Sequence, residues 1–254
     1  DLDSLILAGP GTGKTFTLVH KIAYLIQNKG IDGENILAIT FTNKAADEIS
    51  LRINQLIDNK HRIAPATTFH RFGLRIIQDN PEYFNITNDN FNILDKADAK
   101  FILNKILDIN NKQANHLLQV FSKIKQNITS LSSLEPDSRK FFQAYETYLS
   151  ENNLFDINDL LYRPYQKFLS NGELLEKYQT KYKWILVDEY QDVNRIQYDL
   201  IKLLADSSKG TKICAIGDPN QAIYGFRGAD VKYIEIFQED YPDSKIINLR
   251  TSYR

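Results

Sequence analysis

The sequence is short of the residues that build several common kinds of site. Among 254 residues there is one cysteine, one tryptophan and no methionine. The single thiol, Cys214, excludes an internal disulfide and fits a reducing compartment such as the cytoplasm. It lies in the apolar run "ICAIG", which favours a buried, inert thiol over a nucleophile. The four histidines, His20, His61, His70 and His116, show no metal-ligand spacing. No apolar run reaches the length of a membrane span, and nothing at the start reads as a signal peptide, so no membrane partner is expected. Charge of one sign is lacking too: 31 Lys and Arg stand against 32 Asp and Glu, a net −1. A nucleic-acid partner would need local basic and aromatic groups, not a global field. With no Met at position 1 and a strand-like run almost at once, the chain reads as a fragment of a longer protein.

What is present is ordinary globular composition, 43% hydrophobic and 25% charged, enough for one large domain or two modest ones. Two kinds of territory alternate. The outer thirds carry short apolar runs, "SLILA", "ILAITFT", "WILVD", "KICAIGD" and "KIINL", several of them followed by helical patterns. That rhythm predicts a parallel sheet covered on both faces. The middle shows no such strands. It predicts helices over "DKADAKFILNKILDI" with Asp95 as N-cap, over "HLLQVFSKIKQ", "RKFFQAYETYLSE" and "INDLLYRPYQKFLS", with a kink at Pro164. The expected architecture is an α/β domain over residues 1–78 and 179–254, interrupted by a helical subdomain over 79–178.

The stretch "AGPGTGKT", Ala8, Gly9, Pro10, Gly11, Thr12, Gly13, Lys14 and Thr15, follows a strand pattern and precedes a helical one. That is the context a phosphate-binding loop requires, since backbone N–H groups must curl round phosphates at the positive end of a helix. Lys14 would reach the β- and γ-phosphates and Thr15 would hold Mg²⁺ through its hydroxyl. Ala8 stands where the strict pattern has Gly, and is small enough for the place. Such a site needs a second metal anchor at the tip of a neighbouring strand. "WILVDEYQDVN" supplies one: Asp188 would hold Mg²⁺ through water, and Glu189 would orient and deprotonate the attacking water. In "IGDPNQAIYGFRGAD", Gln221 could sense the γ-phosphate, while Tyr224, Phe226 and Arg227 could stack bases and hold a backbone phosphate. An ordinary turn with core aromatics is the competing reading of that bunch.

In this order, "AGPGTGKT", "ITFTNKAADEI", "TTFHRF", "ILVDEYQDVNRIQ", "GDPNQAIYGFRGAD" and "NLRTSYR" resemble the motifs of superfamily 1 DNA helicases of the UvrD, Rep and PcrA group. The resemblance covers nearly the whole chain and implies a RecA-like P-loop NTPase domain with an inserted all-helical subdomain. It implies ATP and Mg²⁺ as cofactors, and single-stranded DNA and its junctions with duplex as partners. The implied reaction is ATP hydrolysis coupled to 3′–5′ stepping. Thr40 to Lys44 and Thr68 to Phe72 would line the strand's path, with Phe41, Thr42, Asn43, Thr68, Phe69, His70 and Arg71 as candidates. Asn43 could equally cap a helix, and Phe69 could equally be core. Phe226 stands where the group usually has Trp, and Tyr190 where it more often has Phe. Tyr253 would stack on adenine and Arg254 would reach the γ-phosphate. The glutamine that reads adenine before the first strand, and a second motor domain with a further arginine finger, would lie outside this stretch. Two other outputs fit the same residues: the motor of a helicase–nuclease, or an ATP-dependent DNA-binding switch that does not unwind.

Overall fold

A computed structural model describes residues 2–57, 65–86, 90–222 and 230–253. The chain divides into two compact units, 1–69 with 168–254, and 70–167. The sequence pattern places the boundaries instead at 78/79 and 178/179. The structural divisions fall inside two helices, α3 (Phe69–Asp79) and α7 (Asp159–Ser170), where hydrophobic periodicity carries no mark of a domain change.

In the first unit, strands β1 (Ser4–Ala8), β2 (Ile36–Thr40), β3 (Thr67–Thr68), β6 (Trp184–Val187), β7 (Lys212–Gly217) and β8 (Lys245–Leu249) form one sheet in the order β3-β2-β6-β7-β1-β8. Every pairing in it is parallel. The helices of this unit are α1 (Lys14–Gln27), α2 (Asn43–Leu56), α8 (Gly172–Lys181), α9 (Arg195–Leu204), α10 (Lys232–Glu235) and α11 (Phe237–Asp240). Alternate strand residues Ile6, Ala8, Ile36, Ala38, Trp184, Leu186, Cys214 and Ile216 pack into one core with α1 and α2. The residues between them, Leu5, Leu37, Ile39, Ile185, Val187, Ile213 and Ala215, are also buried. A parallel sheet covered on both faces needs uninterrupted apolar strands, and this is why the runs read as solid blocks and not as alternating patterns. Cys214 is a free, buried thiol whose pKa burial pushes up, as expected of an inert one.

The second unit contains β4 (Asn92–Leu94), α4 (Lys96–Leu107), α5 (Asn111–Lys125), α6 (Pro136–Glu151) and β5 (Leu154–Asp156), with most of α3 and α7. It is not all-helical: β4 and β5 form a parallel two-stranded pair. Three-residue strands are too short to show a period, so the sequence hides them. Asp95 caps α4, accepting from the N–H groups of Ala97 and Asp98. The next helix starts at Asn111, five residues before the predicted apolar stretch, because Asn110 and Gln113 form a capping box around a polar first turn. Pro164 lies inside α7. Having no N–H, it leaves the Leu160 carbonyl without its helical donor. That carbonyl meets Gly73 of α3 so closely that a Cβ at Gly73 would lie 1.7 Å from the oxygen.

Lys125 is buried in this unit beneath Glu146 Oε1 at 2.6 Å, Asp156 Oδ2 at 2.8 Å and Asp159 Oδ1 at 2.7 Å. Burial alone would lower its pKa, but the charges of Asp159, Asp156 and Glu146 outweigh this and hold it protonated. One ammonium thus ties α5 to α6, to the end of β5 and to the start of α7.

Candidate nucleotide-binding site

Because every strand of the large sheet is parallel, all the carboxyl ends lie along one edge. There the chain leaves β1 into Gly9–Gly13, β2 into Phe41, β3 into Phe69, β6 into Asp188, β7 into Asp218 and β8 towards Tyr253. This is the edge at which open α/β sheets bind ligands.

The loop after β1 is built to present amides. Gly11 and Gly13 take φ of 75° and 89°, left-handed values that favour glycine. Thr12 Oγ1 donates to the Gly9 carbonyl at 2.8 Å and closes the turn. Gly13 is the N-cap of α1 and supplies no side-chain cap, and the first turn of α1 has no acidic residue. Elsewhere α2, α4, α5, α8 and α9 are capped by their own side chains. The start of α1 is left electropositive, with Lys14 and Thr15 as its first two residues.

The turn after β6 is held from below. Tyr190 and Val193 are buried, and the Tyr190 ring meets Phe237 edge-on at 5.8 Å. Anchoring these two rolls the chain over the strand tip and sets Asp188, Glu189, Gln191 and Asp192 around it. Glu189 adopts φ 49° and ψ 45°, a left-handed conformation that costs a non-glycine residue of the order of 1 kcal/mol. Its Oε2 accepts from Lys14 Nζ at 2.9 Å, so the structure joins the loop lysine to the expected base. Asp188 is 4% exposed, and its Oδ1 is buried without a hydrogen-bond partner. Burial, then the neighbouring Glu189 charge, push its pKa up to about 6, against the opposing pull of a backbone hydrogen bond and Lys14. A buried, orphaned carboxylate oxygen beside a phosphate loop fits Mg²⁺. Among the described residues no cluster of three His, Cys, Asp or Glu side chains forms a metal cage.

At the tip of β7, Gln221 donates from Nε2 to Asp218 Oδ2. The segment after β8 returns to the loop: Tyr253 N–H donates to the Gly11 carbonyl at 3.0 Å and Ser252 Oγ to the Pro10 carbonyl at 3.3 Å. The Tyr253 ring is left 81% exposed beside the loop.

The other candidates divide. Phe41 is half-buried, and Thr42, Asn43, His70 and Arg71 are exposed. Thr42 caps α2, accepting from the Ala45 N–H at 3.1 Å, so the capping role considered for Asn43 belongs to its neighbour. Thr68 and Phe69 are core residues and present no surface to a strand. Phe69, 1% exposed, packs edge-on against Phe41 with centroids 5.7 Å apart. Tyr224, Phe226, Arg227 and Arg254 lie outside the described residues. Two residues in the network, Gln191 and Asp218, stand in the sequence at the tips of these strands but are given no role there. The signal available for them was position alone, since each stands just beyond one of two neighbouring apolar strands.

This fold and edge define a RecA-like α/β domain with a phosphate loop. A family model described as the UvrD/REP helicase N-terminal domain matches residues 2–242, and the chain belongs to that family. It is similar to a protein of Staphylococcus epidermidis named ATP-dependent DNA helicase PcrA, with 38% identity over 98% of this chain and 36% of that protein. A Staphylococcus aureus protein of the same name is 37% identical over the same shares. The chain therefore spans 36% of the length of these relatives.

Proposed function

We propose that the chain works as the first motor domain of an ATP-dependent DNA helicase, stepping along single-stranded DNA, 3′ to 5′, with a second motor domain elsewhere in the same protein. The observation that carries this is the meeting of Lys14 and Glu189 beside the buried Asp188, whose Oδ1 has no hydrogen-bond partner. A carboxylate in that state is awaiting a cation, and a lysine paired with the hydrolytic acid is one that phosphate can draw away.

In this reading the loop amides and Lys14 bind the β- and γ-phosphates, and Tyr253 stacks on adenine. Thr15 and Asp188 hold Mg²⁺, which when bound neutralises charge developing on the phosphates. Glu189 orients water and takes its proton. Gln221 and Arg254 contact the γ-phosphate. DNA lies across the same sheet edge on Phe41, Asn43, His70 and Arg71, supported from beneath by Thr68 and Phe69, and reaches Tyr224, Phe226 and Arg227. Stepping needs two domains that close on ATP and reopen after hydrolysis.

The test is ATP binding by the 254-residue chain, and DNA-stimulated ATP turnover by the helicase that contains it. Lys14→Ala should abolish both while the domain stays folded with a cooperative melt, since the ammonium meets Glu189 and not the apolar core. Unchanged nucleotide affinity in the variant would remove the loop assignment. Turnover indifferent to single-stranded DNA would remove the motor.

A further inference from the structure

Gln191 is a buried amide that the roles above do not use. It is 2% exposed. Its Nε2 donates to Glu189 Oε2 at 2.8 Å and lies 3.3 Å from Asp192 Oδ2. Its Oε1 accepts from the Asp218 N–H at 2.9 Å. A backbone N–H can only donate, which fixes which end of the amide faces which partner. Asp218 then accepts at Oδ2 from Gln221 Nε2. One unbroken hydrogen-bonded chain thus runs from Glu189 to Gln221 across the tips of β6 and β7, neighbours in the sheet.

Two donors, Lys14 Nζ and Gln191 Nε2, address the same oxygen of Glu189. Oε1 takes no hydrogen bond among the described residues and remains available to water. When Lys14 turns to phosphate, one of the two donors is lost. The Glu189 side chain, 36% exposed, would then be free to swing unless the other donor held it. Gln191 can do so because its far end is tied, and rotating the amide would break a buried bond to Asp218.

We propose that Gln191 is the positioning residue of the hydrolytic site. It fixes Glu189 through Oε2, keeps Oε1 for the attacking water, and couples that carboxylate through Asp218 to Gln221. This rests on the motor reading above.

The experiment measures DNA-stimulated ATP turnover in the helicase containing this chain. Beside it run equilibrium binding of a non-hydrolysable Mg²⁺–ATP analogue and a thermal melt. Gln191→Leu should lower kcat about 10²-fold, the usual effect of a reacting group displaced by about 1 Å, with KM for ATP and analogue affinity unchanged. Gln191→Glu keeps the length and the acceptor for the Asp218 N–H but loses the donor to Glu189. It should lose at least as much kcat. In a Glu189→Gln background, Gln191→Leu should cause no further loss, because the group it positions is already gone. Parent-like turnover in Gln191→Glu would overturn the proposal in favour of a role confined to Asp218. A loss that multiplies in the Glu189→Gln background would overturn it as well. A parent that turns over while Gln191→Leu keeps its rate sinks this role alone, whereas a parent without DNA-stimulated turnover sinks the motor reading and this role with it.

Discussion

Replacing Asp188 by Asn should stabilise the nucleotide-free domain, and only above a defined pH. The side chain is buried, one oxygen has no partner, and burial raises its pKa from 3.8 to about 6. Between those values the folded state holds a proton that the unfolded chain has released. Stability therefore falls as pH rises through the window, the reverse of the usual paired carboxylate. A gap of about 2 pH units at about 1.4 kcal/mol each means that ionising Asp188 removes about 3 kcal/mol by pH 8. Asparagine has the same shape and no proton to lose. The variant should match the parent near pH 4 and exceed it by about 3 kcal/mol at pH 8, a rise of about 6–12 °C in melting temperature for a chain of this size. Parent and variant melts at the two pH values, without nucleotide or metal, give a double difference in which titrating groups distant from Asp188 cancel. Mg²⁺ with a non-hydrolysable nucleotide should then close the gap from the parent's side. A difference between the proteins that is the same at pH 4 and pH 8 would refute the reasoning, because it would show that the cost is not one of charge.

Glu189→Gln should leave Mg²⁺–ATP affinity near the parent's and cut hydrolysis in the helicase to a small residual rate; turnover at the parent rate would show that Glu189 is not the base. Phe226→Ala should weaken single-stranded DNA binding by about 1–3 kcal/mol with ATP affinity unchanged. Unaltered DNA affinity with a lower melting temperature would return Phe226 to the core. Lys125→Met should destabilise the second unit by about 3–5 kcal/mol, because Glu146, Asp156 and Asp159 would be left buried around a neutral side chain. A loss under about 1 kcal/mol in chemical unfolding would mean that the carboxylates had found water or protons instead.

The parts of the fold that read directly from sequence are those in which one local pattern carries all the information. β6 and β7 are unbroken apolar runs because both of their faces are covered. Asp95 could be named as a cap because the aspartate and the helix it starts are adjacent. What failed to read depends on distant partners. The β4–β5 pair joins residues 92–94 to residues 154–156, and neither segment is long enough to declare itself. The need for glycine at 73 comes from the Leu160 carbonyl, freed by Pro164, which lies against it. Nothing local marks Lys125 as buried, because the three carboxylates around it come from three later elements.

The site divides along the same line. Lys14, Thr15, Asp188 and Glu189 could be proposed from sequence because each proposed role asks for its residue type immediately after a strand, and the sheet delivers the strand ends to one edge. Thr68 and Phe69 satisfy that positional rule as well, yet both are buried. The end of a strand fixes where the backbone lies and leaves open which way a side chain turns. Phe69 opens α3, and its ring goes into the core against Phe41 while the exposed positions pass to His70 and Arg71. The same freedom leaves the role of Gln191 unread in the sequence. In sequence Gln191 is one polar residue of the run that follows the strand, two residues past the expected base. It becomes part of the site only because Tyr190 and Val193 pull the turn inward, bringing Gln191 between Glu189 and Asp218. The buried apolar residues of the turn thus determine which polar ones can act, and the strain at Glu189 and the orphaned Asp188 oxygen are the local costs of holding them there.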